Sequence, residues 1–195
     1  MGMAFDGKPF NEDGYICKEF LTLRKKYQID SIIETGTYHG ITTKWLCANF
    51  EYVQTVECNR QYYDQAIINL EGIDNLDIYY GKSEEILIDM LNKAGNKPLI
   101  FLDAHWYESP LLKELEMIAC WQKTKKQPFH KIYPIVVIHD FKVPDTDLGY
   151  DSYNGKDYCL EFIQKHLKWI YGSYTHYYNT KAEGARRGVI YIVKN

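Results

Sequence analysis

Apolar positions along the chain alternate between two spacings. Ile16, Phe20, Leu23 and Tyr27 recur at helical intervals and mark one face of an opening helix. Ser31-Ile32-Ile33-Glu34 then reads as a buried strand that ends in a charge. After a glycine-containing turn, the pattern predicts a helix over Ile41–Asn49 and a second strand, Tyr52–Glu57, also closed by an acid. A helix over about 60–70, a strand at Leu76–Tyr80 and a helix over about 84–91 continue the alternation. Leu99 to Leu102 is a continuous apolar run, as expected of a strand covered on both faces, and Asp103 closes it. Ser109-Pro110 supplies an N-cap and a first-turn proline for a helix with Leu111, Leu115 and Ile118 on one face. Ile135–Ile138 is a fifth strand, closed by His139-Asp140. A helix near 158–170 precedes two strand-like segments, 171–178 and 189–193, with no helical stretch between them, so these two pair antiparallel. The expected fold is therefore α/β: a Rossmann-like, doubly wound, seven-stranded sheet, mostly parallel with an antiparallel C-terminal strand pair.

Composition narrows the class. A chain of 195 residues with 46% hydrophobic and 25% charged residues predicts one domain over 1–195, with an N-terminal segment and helix over 1–28 and the sheet core over 29–195. Lys and Arg number 23 against 26 Asp and Glu, a net charge of −3, so no global positive field recruits nucleic acid or anionic membrane. The five cysteines are odd in number and form no Cys-x-x-Cys pair, which points away from a disulfide framework or zinc knuckle and toward a reducing cytoplasm. Met1 to Phe10 builds no signal-peptide apolar run, and no stretch has the length of a membrane span. Eighteen tyrosines against eight phenylalanines suit a half-wet cleft, and equally a compositional bias.

In an open parallel sheet the ligand crevice lies beyond the carboxyl ends of the strands. Glu34, Glu57, Asp103, His139 and Asp140 all close strands, so this topology gathers them along one rim. Each alone is equally a turn-forming or capping residue; jointly they suggest a site. The turn Glu34-Thr35-Gly36-Thr37-Tyr38-His39-Gly40 has neither the dinucleotide nor the P-loop glycine spacing. An acid before the glycines suits a ligand with a positive end, and Glu57 can accept both hydroxyl hydrogens of a ribose. A cationic nucleoside meets both demands.

With these features the sequence resembles the class I S-adenosylmethionine-dependent methyltransferases. The resemblance runs from about residue 29 to 193 and rests on Glu-x-Gly-x-x-x-Gly after the first strand, Glu57 closing the second, the acid-tipped fourth strand and the antiparallel ending. It implies that Glu34, Gly36 and Gly40 surround the methionine part of the cofactor, that Glu57 takes the ribose, and that Ser83, in Gly81-Lys82-Ser83, lies by the adenine. Ser83 is also a good N-cap for the next helix. Phe101-Leu102-Asp103-Ala104-His105-Trp106 and Val137-Ile138-His139-Asp140 are similar to the catechol-type and sugar-directed O-methyltransferases. That similarity implies S-adenosylmethionine as cofactor and a divalent metal, Mg or Mn, held by Asp103, His139 and Asp140. His139 stands where those enzymes carry a carboxylate, a change that suits manganese, iron or zinc better than magnesium. Asp103 would also adjoin the cofactor, and Asp103, His105, His139 and Asp140 form the catalytic candidates, with His105 or His139 as general base if no metal takes part.

Trp106 packs on a ligand or in the core. The stretch 141–156 reads as a long loop over the acceptor site, with Tyr150 and Tyr153 as substrate contacts or as staples of the loop. Arg186-Arg187, before the last strand, suits a phosphate-bearing substrate or a solvated turn. The expected activity is O-methylation of a small hydroxylated acceptor, a sugar or glycan unit in preference to a catechol; an oligomer is compatible with the sequence. The acid-rich loop would repel nucleic-acid phosphates. Two rivals stand beside this reading: a non-catalytic methyltransferase-fold interaction module, and an NAD-dependent oxidoreductase, which the glycine spacing and the antiparallel ending disfavour.

Overall fold

A computed structural model describes residues 7–104, 109–124 and 133–195. A short helical turn, α1 (Pro9–Glu12), leads into α2 (Gly14–Tyr27). Asp13 caps α2, its carboxylate accepting from the amides of Tyr15 and Ile16. Then β1 (Ser31–Thr35), α3 (Ile41–Asn49), β2 (Tyr52–Glu57), α4 (Arg60–Asn69), β3 (Leu76–Tyr80), α5 (Ser83–Lys93) and β4 (Pro98–Leu102) alternate as the apolar pattern predicts. They are followed by α6 (Leu111–Thr124), β5 (Ile135–Ile138), a two-strand hairpin β6 (Ser152–Tyr153) and β7 (Lys156–Asp157), α7 (Leu160–Tyr171), β8 (Tyr174–Tyr178) and β9 (Ile190–Lys194).

The main sheet has seven strands in the order β3-β2-β1-β4-β5-β9-β8. The pairs among β1 to β5 are parallel, whereas β9 runs antiparallel to both β5 and β8. Period-two alternation sends neighbouring side chains to opposite faces. Ile32, Phe101 and Val137 thus join α2 and α3 in one core. Ile33, Ile100, Leu102, Val136 and Ile138 join α5, α6 and α7 in the other. Burial on both faces explains the unbroken apolar runs of β4 and β5.

Three local expectations shift. Lys82, not Ser83, is the N-cap of α5, and Ser83 is its first, buried residue. Tyr171 closes α7, its ring in the core and its hydroxyl donating to the Pro134 carbonyl, so β8 starts at Tyr174. The 141–156 stretch is not open chain, because it carries the β6–β7 hairpin and is bonded to the segment before β9. Phe141 N donates to Gly188 O at 2.9 Å, Gly149 N to Arg186 O at 2.9 Å and Gly188 N to Gly149 O at 2.8 Å.

Candidate functional site at the strand tips

Sheet register aligns the candidate residues. Thr35 pairs with both Val56 and Leu102, and Leu102 pairs with Ile138. The residues that follow, Gly36, Glu57, Asp103 and His139, therefore leave the sheet side by side. The strand order reverses between β1 and β4, the place where an open α/β sheet forms its crevice. Backbone bonds extend the row beyond the strands: Asp103 N donates to Thr35 O at 3.2 Å and His139 N to Leu102 O at 3.1 Å.

The turn after β1 fits closely against the tip of β4. Gly36 has φ 90°, and a Cβ there would stand 2.9 Å from the Asp103 carbonyl oxygen. Threonines fasten the turn from beneath. Thr43 and Thr55 donate to one Glu34 carboxylate oxygen at 2.5 and 2.7 Å, and Thr37 and Thr55 share a hydroxyl bond at 2.7 Å. Glu34 is only 1% exposed, and burial pushes its pKa up from the ordinary 4.5 to about 8, against the lowering effect of the two threonine bonds. Its carboxyl thus anchors the turn from the protein side. Gly40, with φ 78°, is the N-cap of α3 and packs on Leu70.

Glu57 ends β2 with one oxygen accepting from Tyr38 N and the other from Asn59 N, both at 2.8 Å. One carboxylate so joins the turn after β1 to the start of α4, where Asn59 is the cap. Each oxygen keeps acceptor capacity toward a hydroxylated ligand.

Asp103, His139 and Asp140 come together. His139 Nδ1 lies 2.8 Å from Asp103 Oδ1 and 3.4 Å from Asp140 Oδ2, and one ligand atom from each of the three falls within 4.8 Å of the others. The imidazole is 2% exposed. Burial, the largest effect, pulls its pKa down, but the Asp103 and Asp140 carboxylates together outweigh it and hold the pKa well above 6.5. Asp140 adopts a left-handed backbone (φ 55°), and its carbonyl accepts from Asp151 N at 2.8 Å. His105 and Trp106 lie outside the described residues. Tyr150 is exposed with Lys142 Nζ 5.0 Å from its ring centroid, whereas Tyr153 is half-buried against the α5–α7 core. Tyr158, beyond the hairpin, is a core residue at 1% exposure.

The sequence reading missed the threonines beneath the turn and the partners of the Arg186-Arg187 pair. Thr37, Thr43 and Thr55 were hidden because a buried threonine, whether in a turn, a helix or a strand, carries no sequence signature of its partner. Arg187 contacts Asp140 and Asp151, while Arg186 donates to both Asp147 oxygens at 3.0 Å. Their position beside Gly188 was the available signal, and the acids they meet lie 36 to 47 residues earlier. Both arginines of the pair are therefore ion-paired within the protein.

No protein-family model and no curated protein matches the chain. Solved structures do. A candidate caffeoyl-CoA O-methyltransferase from Staphylococcus aureus aligns with a TM-score of 0.62 at 18% identity, over 94% of this chain and 84% of that one. An O-methyltransferase from Bacillus cereus in complex with SAH gives 0.59 at 19% identity, over 95% and 84%. An rRNA methylase from Streptococcus thermophilus gives 0.58 at 12% identity, over 92% and 94%. At such identities the likeness concerns architecture, and with the observed strand order it assigns this chain the class I methyltransferase fold.

Proposed function

We propose that the protein is an S-adenosylmethionine-dependent O-methyltransferase acting on a small hydroxylated acceptor, with a sugar or glycan unit as the preferred class. One observation carries the reading: the Gly36 turn packs directly on the tip of β4, where Asp103, His139 and Asp140 converge. A cofactor site and a polar reaction site then share one wall. The bound cofactor supplies an activated methyl group on a sulfonium. The protein has to bind that cation, bring an acceptor hydroxyl into line with it and accept the hydroxyl proton.

Each task has residues. Gly36 and Gly40 let backbone approach the methionine part, with Glu34 bracing the turn through Thr43 and Thr55. Glu57 is poised for ribose hydroxyls, and Ser83, at the start of α5, for the adenine edge. Asp103, His139 and Asp140 offer an O, N, O donor set that fits a divalent cation and favours manganese over magnesium. A cation held there would lower the pKa of a coordinated hydroxyl. A cation-free version is supported by the 2.8 Å contact of His139 with Asp103, in which the imidazole already partners the carboxylate. The neighbouring carboxylates raise the pKa of His139 and so favour its protonated form, which leaves Asp103, Asp140 and His105 as the candidate proton acceptors.

Support for a sugar comes from the surroundings. An open cleft of about 700 Å³ is lined by Tyr15, Asp145, Thr146, Asp147, Thr180 and Glu183 among others. It contains none of the strand-tip residues, but its polar lining suits a polyhydroxylated ligand extending outward. Tyr150 and Tyr153 would flank the same acceptor. Asp145 and Glu183 in the cleft lining work against an RNA substrate, whereas Asp147 and Asp151 are paired with Arg186 and Arg187.

Calorimetry tests the assignment. S-adenosylhomocysteine should bind with micromolar affinity, and the absence of heat at high micromolar concentration would sink the reading. Asp140→Ala should keep that binding while methyl transfer falls by roughly 10²–10⁴-fold. If Asp140→Ala instead abolishes cofactor binding, the roles are misassigned.

A further inference from the structure

Arg187 lies at the centre of an unusual arrangement beside the strand tips. Its Nε donates to Asp140 Oδ1 and its Nη2 to Asp151 Oδ1, so one guanidinium bridges the β5 tip and the loop that follows it. The bridge is built into the backbone around it. Asp151 N donates to Asp140 O at 2.8 Å, Asn179 Nδ2 donates to Arg187 O at 2.9 Å, and Gly149 and Arg187 form an isolated β-bridge. Gly149 makes room for the side chain, since a Cβ there would stand 2.8 Å from Arg187 Nη1. The guanidinium is about three-quarters covered, its side chain 26% exposed, and Asp140 is 17% exposed, so solvent screens their interaction only in part.

The charge balance is uneven. Among the described residues, Asp103, Asp140 and Asp151 bring three carboxylates to this corner, against the guanidinium of Arg187. Arg187 holds one oxygen of Asp140, while the other, Oδ2, is turned toward His139 Nδ1 at 3.4 Å. We propose that Arg187 is a built-in counter-ion of the Asp103–His139–Asp140 site: it fixes the Asp140 carboxylate through one oxygen and, by its charge, weakens the hold of the site on a divalent cation. Asp151 moderates the effect by drawing part of the guanidinium charge to itself. A cation there would be held weakly enough to exchange, since Arg187 already occupies one oxygen of Asp140. Arg187 is a positioning residue, since it acts through Asp140. The proposal rests on the cation-assisted form of the methyltransferase reading.

Titration of Mn²⁺ alone, followed by the electron paramagnetic resonance of the free aquo ion, tests it on the full chain. Arg187→Met should bind Mn²⁺ about tenfold or more tighter than the unaltered protein, because a like charge beside the ligands is gone. Arg187→Lys, which keeps the charge, should stay within a factor of about three. Asp151→Asn should shift affinity the opposite way, since it removes a carboxylate and leaves Arg187 to Asp140 alone; this arm keeps the test decisive if Arg187→Met does not fold. Unchanged or weaker Mn²⁺ binding in Arg187→Met, or a lysine variant that follows the methionine variant, overturns the proposal. So does the absence of Mn²⁺ binding at millimolar concentration in every variant. S-adenosylhomocysteine calorimetry on the same samples separates the two levels. Intact cofactor binding with a failed Mn²⁺ prediction removes only the role of Arg187, whereas lost cofactor binding in the unaltered protein strikes the methyltransferase reading.

Discussion

Glu34 carries a residue-scale consequence of the closed turn. Its folded pKa of about 8 exceeds the ordinary 4.5, so the unfolded chain releases the proton before the folded one does. Stability from this group is complete below pH 4.5 and is lost as pH rises through about 8. At about 1.4 kcal/mol per unit of separation, the loss amounts to a few kcal/mol. Glu34→Gln, which still offers an oxygen to Thr43 and Thr55, should flatten that fall. Urea midpoints at pH 5 and pH 8 would check it, and identical pH profiles for the two proteins would show that Glu34 is not held neutral. The sequence displayed the acid before the glycines; it did not display the hydroxyls that surround it, because Thr55 comes from the neighbouring strand.

At the scale of elements, the main helices and the strands of the main sheet were legible because each has a clear apolar period. Asp13 and Asn59 cap α2 and α4 with side-chain oxygens, as their residue types lead one to expect. The connection from β5 to α7 was legible only as a long loop. Its form depends on the segment before β9, whose Arg186 and Gly188 bond to Gly149 and Phe141 of the connection. A Cβ at Gly188 would overlap the Phe141 carbonyl oxygen. Gly188→Ala should therefore cost about 1–3 kcal/mol and open the 141–158 connection to limited proteolysis before global unfolding. Cleavage at the unaltered rate would mean that this contact does not hold the connection.

For the whole molecule, two cores on opposite faces of one sheet leave the carboxyl ends of the parallel strands as the common rim. A ligand bound there contacts several elements and adds to global stability. S-adenosylhomocysteine at 100 times its Kd should stabilise the fold by about 2.7 kcal/mol, or roughly 5–10 °C in Tm. A Tm that does not respond would contradict binding at the rim. All five cysteines are free, and no helix among the described residues is long and apolar enough to cross a membrane.

The sequence by itself determined the order of the main-sheet strands and the helices between them, the two-sided burial of β4 and β5 and the row of charged residues at the strand ends. These follow from local periodicity and from the rule that parallel strands point their tips one way. Only the tertiary structure decided which of those charges meet. It placed His139 against Asp103, sealed Glu34 beneath the turn and set Arg187 on Asp140. Such contacts join residues tens of positions apart, and their strength depends on burial and on the sum of neighbouring charges. Neither quantity is written in local sequence, because both are properties of the packed chain.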